Sequence, residues 1–345
     1  MLGISVYFQD YDEEYLRKAV PAGAKYVFTS LQIPEEDYSN LDQKLPKFFE
    51  LCDELGLEVI PDISPTTLKK LGIAAGDYQA LKDKGFSALR LDYGFDDFNK
   101  IKKLQADFFI LLNASVISVD YLDRAKDAGI DFNKLALTYN FYPHTDTGMG
   151  WENFKHKNWL LKDYGLRTQA FVPGDALKRF PLYEGLPTVE KHRGLLPYVA
   201  AVELIHEANV DDVFIGDSQA SIKNLQYITA YQKHKILNLE CSLLPQYQQL
   251  YDQVLKVRKD MPEKLIRLDL PRKADIPVHN TLNRQKGTIT MQNKLAKRYS
   301  GEVSIIKFDL PFEARSNVIG VISPEYLNLL NFVDPDTKIV FRKMS

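Results

Sequence analysis

Eight times in the first two-thirds of the chain, a short and continuous run of apolar residues ends on polar or small side chains and gives way to a stretch with helical spacing. No other feature restricts the fold so strongly. The runs are Ile4–Phe8, Lys25–Thr29, Leu57–Ile60, Ala88–Leu91, Phe108–Leu112, Leu135–Thr138, Thr168–Val172 and Val213–Ile215. Strands that are apolar along their whole length, rather than at alternate positions, belong to a parallel sheet covered on both faces. Helical stretches such as Glu13–Ala19 and Leu45–Leu55 supply the cover; Pro34-Glu35-Glu36 precedes the second, and Gly56 closes it. Eight βα units predict an α/β protein whose strands close into a TIM (β/α)8 barrel. A doubly wound open sheet is the alternative, but no GxGxxG follows the first run, which removes a dinucleotide-binding reading.

A closed parallel barrel brings the C-terminal ends of all its strands to one mouth, however far apart they lie in sequence. Asp10, Asp62, Asp92, Asn113, Asn140, Gln169 and Asp217 are thereby predicted to face a shared cavity. Glycosidic bond cleavage needs such a ring, because one acid must protonate the leaving oxygen while a second group stabilises or attacks the anomeric carbon. Asp10, Asp62, Asp92 and Asp217 are the candidates, with Asp62 and Asp92 first because the pattern puts them nearest to strand ends. The plain alternative for each is a helix cap.

Two stretches read as anion sites. In Asp212–Ser221 the eighth run stops at Gly216, and Ser218 and Ser221 stand where the next helix begins. Free amides and the helix dipole favour negative charge there, so phosphate is the first ligand to test, the alternative being that Ser218 merely caps the next helix. Between the seventh and eighth runs, Gly185-Leu-Pro-Thr-Val-Glu-Lys-His-Arg193 carries Thr188, Lys191, His192 and Arg193, a set suited to a phosphate, and Glu190, a further candidate acid. Solvated charges at the start of an amphipathic helix are the competing explanation. A third stretch, Asn140–Gly148, offers Asn140, Tyr142 and Thr147 to sugar hydroxyls or an acetamido group, and Phe141 or Trp151 as a stacking face or as packing under the loop.

After about residue 235 the grammar changes. Ile236–Leu244, Lys264–Leu270, Gly287–Met291, Glu302–Leu310, Asn317–Ile322 and Lys338–Arg342 read as strands, with helical stretches near Gln246–Arg258 and Pro324–Phe332. The chain thus divides into a catalytic barrel, 1–235, and a β-rich domain, 236–345. A net charge of -2 gives no electrostatic footprint for nucleic acid. Cys52 and Cys241 show no metal-binding spacing, the histidines are scattered, and Cys52 reads as a buried apolar residue, so no metal or cofactor is predicted. The N-terminus lacks the basic and apolar regions of a signal peptide, and no run is long enough to span a bilayer. A reducing cytoplasm fits these features best.

Several motifs together carry a family resemblance. They are Gly3-Ile-Ser-Val-Tyr7, Pro61-Asp62-Ile63-Ser64, Leu89-Arg-Leu-Asp92, Asn140-Phe-Tyr-Pro143 with Thr147-Gly148, Gly185-Leu-Pro-Thr188 with Glu190-Lys-His-Arg193, and Gly216-Asp217. Gly287-Thr-Ile-Thr290, Gly301-Glu302 and Asn317-Val-Ile-Gly320 continue the series in the second domain. In their order and spacing the chain resembles, over essentially its full length, the 6-phospho-N-acetylmuramidases (MurNAc 6-phosphate glycosidases), a family once grouped as DUF871. The resemblance implies a TIM barrel followed by a cyclophilin-like β-barrel. It also implies cytoplasmic recycling of cell-wall (peptidoglycan) sugars, with a phosphorylated amino-sugar disaccharide as the partner: N-acetylmuramic acid 6-phosphate linked β-1,4 to N-acetylglucosamine.

Two other readings compete. A barrel aldolase or isomerase acting on a phosphosugar would want a Schiff-base lysine at an inner strand end, and none of the eight ends shows one. The second domain would alternatively serve as a peptide-binding module, although likeness of fold does not transfer activity.

Overall fold

The computed structural model describes residues 1–31, 41–74, 76–92 and 97–344. Eight parallel strands close into a barrel in sequence order: β1 (Leu2–Ser5), β2 (Ala24–Ser30), β3 (Glu58–Ile63), β4 (Ala88–Leu91), β5 (Phe109–Asn113), β6 (Leu135–Thr138), β7 (Arg167–Val172) and β8 (Asp212–Ile215). The predicted runs correspond to these strands within a residue or two. The exceptions are β1, ending at Ser5 rather than Phe8, and β3, which runs on to Ile63 rather than Ile60. At the first of these the chain leaves the barrel early. Beyond Ser5, Val6 still donates its N–H to the Phe28 carbonyl, while Asp10 N–H folds back to the Tyr7 carbonyl in a turn.

Phe28, Ile60, Leu111, Ala136, Phe171 and Phe214 form one buried cluster contributed by six different strands, and this is the inner core of the barrel. Side chains alternate across a strand, so residues two positions further on lie at the mouth and residues two positions earlier lie toward the opposite end. Ser30, Asp62, Asn113 and Thr138 belong to the first set; Tyr26, Glu58, Phe109, Gln169 and Asp212 belong to the second. Gly3 faces the same interior, where an added Cβ would fall 2.2 Å from the Phe214 ring. A glycine in β1 is what lets that phenylalanine cross the barrel.

Helices cover the strands, among them Glu13–Ala19, capped by the Asp12 side chain on Tyr15 N–H, and Leu41–Leu55, four residues longer at its start than predicted. The Pro34-Glu35-Glu36 stretch predicted ahead of that helix lies outside the described residues.

The chain separates into two compact units, Met1–Thr229 and Ala230–Ser345. The second holds β9 (Ile236–Leu243), β10 (Leu255–Lys256), β11 (Leu265–Arg267), β12 (Thr288–Gln292), β13 (Val303–Ile306), β14 (Ser316–Ile322) and β15 (Lys338–Lys343) in one sheet of order β10-β15-β9-β14-β12-β13-β11. All neighbours are antiparallel except β15 and β9. The helix predicted over Gln246–Arg258 is replaced by a 3-10 segment, Pro245–Leu250, and by β10. Asp252 adopts φ 60°, which breaks a helix, and Leu255 and Val257 are buried on either side of exposed Lys256, the two-residue period of a strand. Pro324–Phe332 is likewise 3-10.

Candidate active site

Arg90 is the centre of the mouth on the β3–β6 side. It is 3% exposed and pairs directly with Asp62 across β3 and β4. Its Nη1 lies 2.5 Å from Asp62 Oδ1 and 3.8 Å from Asp92 Oδ1, and its Nη2 donates to Asn140 Oδ1 at 2.5 Å. Asn113 Nδ2 donates to Asp92 Oδ1 at 3.2 Å, so β3, β4, β5 and the segment after β6 all converge on one guanidinium. The two carboxylates differ in setting. The Asp62 side chain is 10% exposed and held against the arginine, whereas that of Asp92 is 28% exposed. Tyr93-Gly94, which follows Asp92, lies outside the described residues. Arg90 escaped the sequence reading as a site residue, yet it left a signal: a charge inside an otherwise apolar strand, two residues before an acid.

Asp217 belongs elsewhere. It is fully buried and accepts the backbone N–H groups of Gly174 and Leu186 on Oδ2 and of Arg179 on Oδ1, at 2.7, 3.2 and 3.0 Å. Burial pushes its carboxyl upward against the pull of those amides. Its role is to tie down the long loop after β7, and it does not share the Asp62–Asp92 cluster. Asp10 accepts from Ser218 Oγ at 2.7 Å, which closes the seam between β1 and β8.

The anion site predicted at the end of β8 is already filled. The Asp175 carboxylate accepts from Ser221 N–H and Oγ at 2.7 and 2.8 Å and from Asn224 Nδ2 at 2.7 Å, so the protein supplies its own anion at the start of helix Ile222–His234. Nearby amides are engaged as well: Gly216 N–H with the Val172 carbonyl, Gln219 N–H with the Leu177 carbonyl, and Ala220 N–H with the Tyr15 hydroxyl.

The loop carrying Gly185–Arg193 is similarly self-satisfied. Arg193 donates to both oxygens of Glu190 and to the carbonyls of Tyr142, His144 and Gly185. Glu190 also accepts from the N–H groups of Asp146 and Gly148, and the Arg193 guanidinium above all holds its carboxyl at about 2. Such a group is not a proton donor at neutral pH. The approach is so close that a Cβ on Gly148 would stand 2.5 Å from Glu190 Oε2. His192 is fully buried, its Nε2 is 2.9 Å from Glu203 Oε2, and burial lowers its pKa; Lys191 pairs with Glu203 at 2.5 Å and lies over Trp151. Thr188 bonds Phe171 N–H and the Asn140 carbonyl through its hydroxyl. Thr188, Glu190, Lys191, His192 and Arg193 are thus all engaged by the protein's own groups.

In the third stretch, Tyr142 is half-buried with its N–H on the Pro187 carbonyl, and Thr147 is exposed with its hydroxyl on the His144 carbonyl. Phe141 packs edge-on against Phe28 and Phe171, roofing the inner core, and Trp151 stacks on Phe154. Gln169 is a further correction. It bonds Thr138 and Asp212, two positions below Phe171, and lines a cavity of about 370 Å3 at the N-terminal end of the barrel together with Tyr26, Phe109 and Arg167. Side-chain alternation turned it inward at the wrong level.

Among the described residues no cluster of His, Cys, Asp and Glu is arranged to hold a metal ion, and no helix is long and apolar enough to cross a membrane. Among the described residues the barrel strands contain one lysine, Lys25, which is exposed.

Two carboxylates on one buried arginine, at the C-terminal rim of a closed parallel barrel, define a (β/α)8-barrel enzyme. Family models described as 6-phospho-N-acetylmuramidase, N-terminal, and 6-phospho-N-acetylmuramidase, C-terminal, match residues 2–230 and 237–342. The chain belongs to the 6-phospho-N-acetylmuramidase family, as its motifs predicted, and is a glycosidase directed at N-acetylmuramic acid 6-phosphate. Among solved structures it is similar to a conserved protein of unknown function from Enterococcus faecalis, at 30% identity and TM-score 0.88 over 100% of this chain and 97% of that one. It is also similar to an uncharacterized B. cereus protein, at 27% identity and TM-score 0.79 over 99% and 98% of the two chains. No curated protein matches the sequence.

Proposed function

We propose that the enzyme hydrolyses the β-1,4 bond between N-acetylmuramic acid 6-phosphate and N-acetylglucosamine, in the cytoplasm, as a step in the recycling of cell-wall sugars. The observation that carries this reading is the sharing of Arg90 by Asp62 and Asp92. Glycoside cleavage asks one carboxyl to give a proton and another to stay negative beside the developing oxocarbenium ion. Asp62, buried against the guanidinium, is suited to the charge-stabilising role. Asp92, more open and hydrogen-bonded by a neutral amide, is suited to exchange a proton with the leaving oxygen. Asn113 and Asn140 orient the pair, and Asn140, Tyr142 and Thr147 lie on loops suited to sugar hydroxyls. Asp10 lies on the β1 side of the same mouth, toward the substrate's far end. The second unit, which we read as cyclophilin-like, is assigned no part in the chemistry.

The test is incubation of the phosphorylated and unphosphorylated disaccharides with the wild type and with Asp62→Asn and Asp92→Asn, followed by mass spectrometry. Each substitution is expected to lower kcat roughly 10²–10⁴-fold, the size of a lost acid–base contribution. Near-normal turnover in a folded Asp92→Asn protein would sink the assignment of that residue.

A further inference from the structure

A buried arginine that pairs with no acid among the described residues stands in the loop between β7 and β8. Arg179 is 6% exposed, and its guanidinium carbon lies 5.0 Å from the ring centre of Tyr7 and 5.3 Å from that of Phe180. Among the described residues no hydrogen bond or ion pair reaches this side chain, and Nε is both buried and unpartnered. Arg90 is equally buried and its Nε is likewise unpartnered, but its Nη1 and Nη2 are bonded to Asp62 and Asn140, whereas those of Arg179 meet no acceptor among the described residues. With its Nε shut off from water and its stem packed on aromatic rings, this guanidinium has only its outer N–H groups left to offer, and an anion arriving from outside would complete their hydrogen bonds.

The surroundings hold it in place. Asp217 Oδ1 accepts the Arg179 backbone N–H, and the same carboxylate fixes Gly174 and Leu186, the flanks of the loop. Tyr7 and Phe180 meet edge to face at 6.4 Å, and the Tyr7 hydroxyl donates to the Gly216 carbonyl at 2.6 Å, tying the aromatic bed to the end of β8. Tyr7, Phe180 and Leu186 form a buried cluster against which Phe141 packs, and Phe141 in turn rests on the inner core at Phe28 and Phe171. The guanidinium therefore sits over the mouth of the barrel, on the β1, β7 and β8 side, across from Arg90. Stacking on aromatic faces leaves the in-plane N–H groups of an arginine available, and these are the groups that grip an oxyanion bidentately.

We propose that Arg179 binds an oxyanion of the substrate, the 6-phosphate in preference to the lactyl carboxylate, and that Asp217 is the positioning residue that aims it. The proposal rests on the glycosidase reading above, and the experiment separates the two. Arg179→Met, which keeps the packing on Tyr7, and Arg179→Lys, which keeps the charge, are compared with the wild type on three disaccharides. These are the phosphorylated N-acetylmuramyl compound, its unphosphorylated form, and a 6-phosphorylated analogue lacking the lactyl group. Melting temperatures are measured without ligand and with N-acetylmuramic acid 6-phosphate.

Arg179→Met is expected to lose about a hundredfold in kcat/KM on both phosphorylated substrates and little on the unphosphorylated one, as for removal of one charge-assisted pair made to substrate. Arg179→Lys should lose only part of that discrimination. Without ligand, the methionine variant should melt at or above the wild-type temperature, because a desolvated charge has been removed; with the sugar phosphate, the upward shift seen in the wild type should vanish. A structural role predicts the opposite: a lower melting temperature and proportional loss on every substrate, which would overturn the proposal. Loss confined to lactyl-bearing substrates would overturn the phosphate assignment in favour of the carboxylate. A wild type that cleaves none of the three yet gains Arg179-dependent stability from the sugar phosphate would refute the glycosidase reading and leave Arg179 standing. Cleavage with unchanged phosphate preference in both variants would do the reverse.

Discussion

Arg90 and Asp62 face each other across neighbouring strands of the barrel, with Nη1 and Oδ1 2.5 Å apart and both residues buried. The pairing follows directly from register: a one-residue slip of β4 would turn Arg90 out among the covering helices and leave Asp62 alone. Breaking a buried pair by removing one member costs about 3–5 kcal/mol, chiefly for the charge left behind. Arg90→Met is accordingly expected to lower unfolding free energy by that amount in denaturant titrations, with activity below detection. A double variant, Arg90→Met with Asp62→Leu, should recover much of the stability and none of the activity.

Glu190 separates a structural carboxylate from a catalytic one. Its carboxyl is held at about 2 by the Arg193 guanidinium and the N–H groups of Asp146 and Gly148. A folded-state pKa depressed below its unfolded value means that the stabilisation is complete above the unfolded pKa of about 4.3 and disappears as pH falls toward 2. The melting-temperature difference between wild type and Glu190→Gln should be flat from pH 7 to about 5 and shrink below that. Turnover of Glu190→Gln at pH 7 should stay within about tenfold of wild type, well short of the loss expected for an acid–base residue.

Gly3 tests the inner packing. An alanine methyl there would stand 2.2 Å from Phe214, inside the ring's van der Waals envelope. Overpacking of this kind costs typically 1–3 kcal/mol, so Gly3→Ala should unfold at lower denaturant concentration. Adding Phe214→Leu to make room should restore part of the loss.

Both thiols should be silent in the native state. Cys52 and Cys241 are buried, and burial pushes each up to about 12, so thiolate is scarce at neutral pH. A chromogenic thiol reagent is expected to read no free thiol until denaturant is added, and then two per chain. Fast labelling of either cysteine in the folded protein would show that the local packing opens.

The barrel was legible because its signal is local. Continuous apolar runs of three to five residues, each closed by a polar step, can satisfy backbone and hydrophobic demands together only as a parallel, covered sheet. The second unit was read less well where periodicity was ambiguous. Gln246–Arg258 carries apolar residues compatible with a helix, and only the turn at Asp252 and the alternating burial of Leu255 and Val257 decided for a 3-10 segment and a strand.

For the site, the sequence by itself determined that acids and amides scattered over the chain would gather at one rim, and the gathering of Asp62, Asp92, Asn113 and Asn140 follows from strand order alone. It did not determine which polar groups would remain available. Asp217, Glu190, Thr188, His192, Arg193 and Ser221 carry the same side chains a ligand would want, but a loop packed over a barrel must also satisfy its own amides, carbonyls and charges, and these residues do that. Tertiary structure decided the matter at Arg90 and Arg179: the first was given partners by its register, and the second was buried on aromatic rings with no side-chain partner among the described residues. Hydrogen-bonding capacity is written in the residue type, whereas its saturation is set by whatever the fold brings within 3 Å.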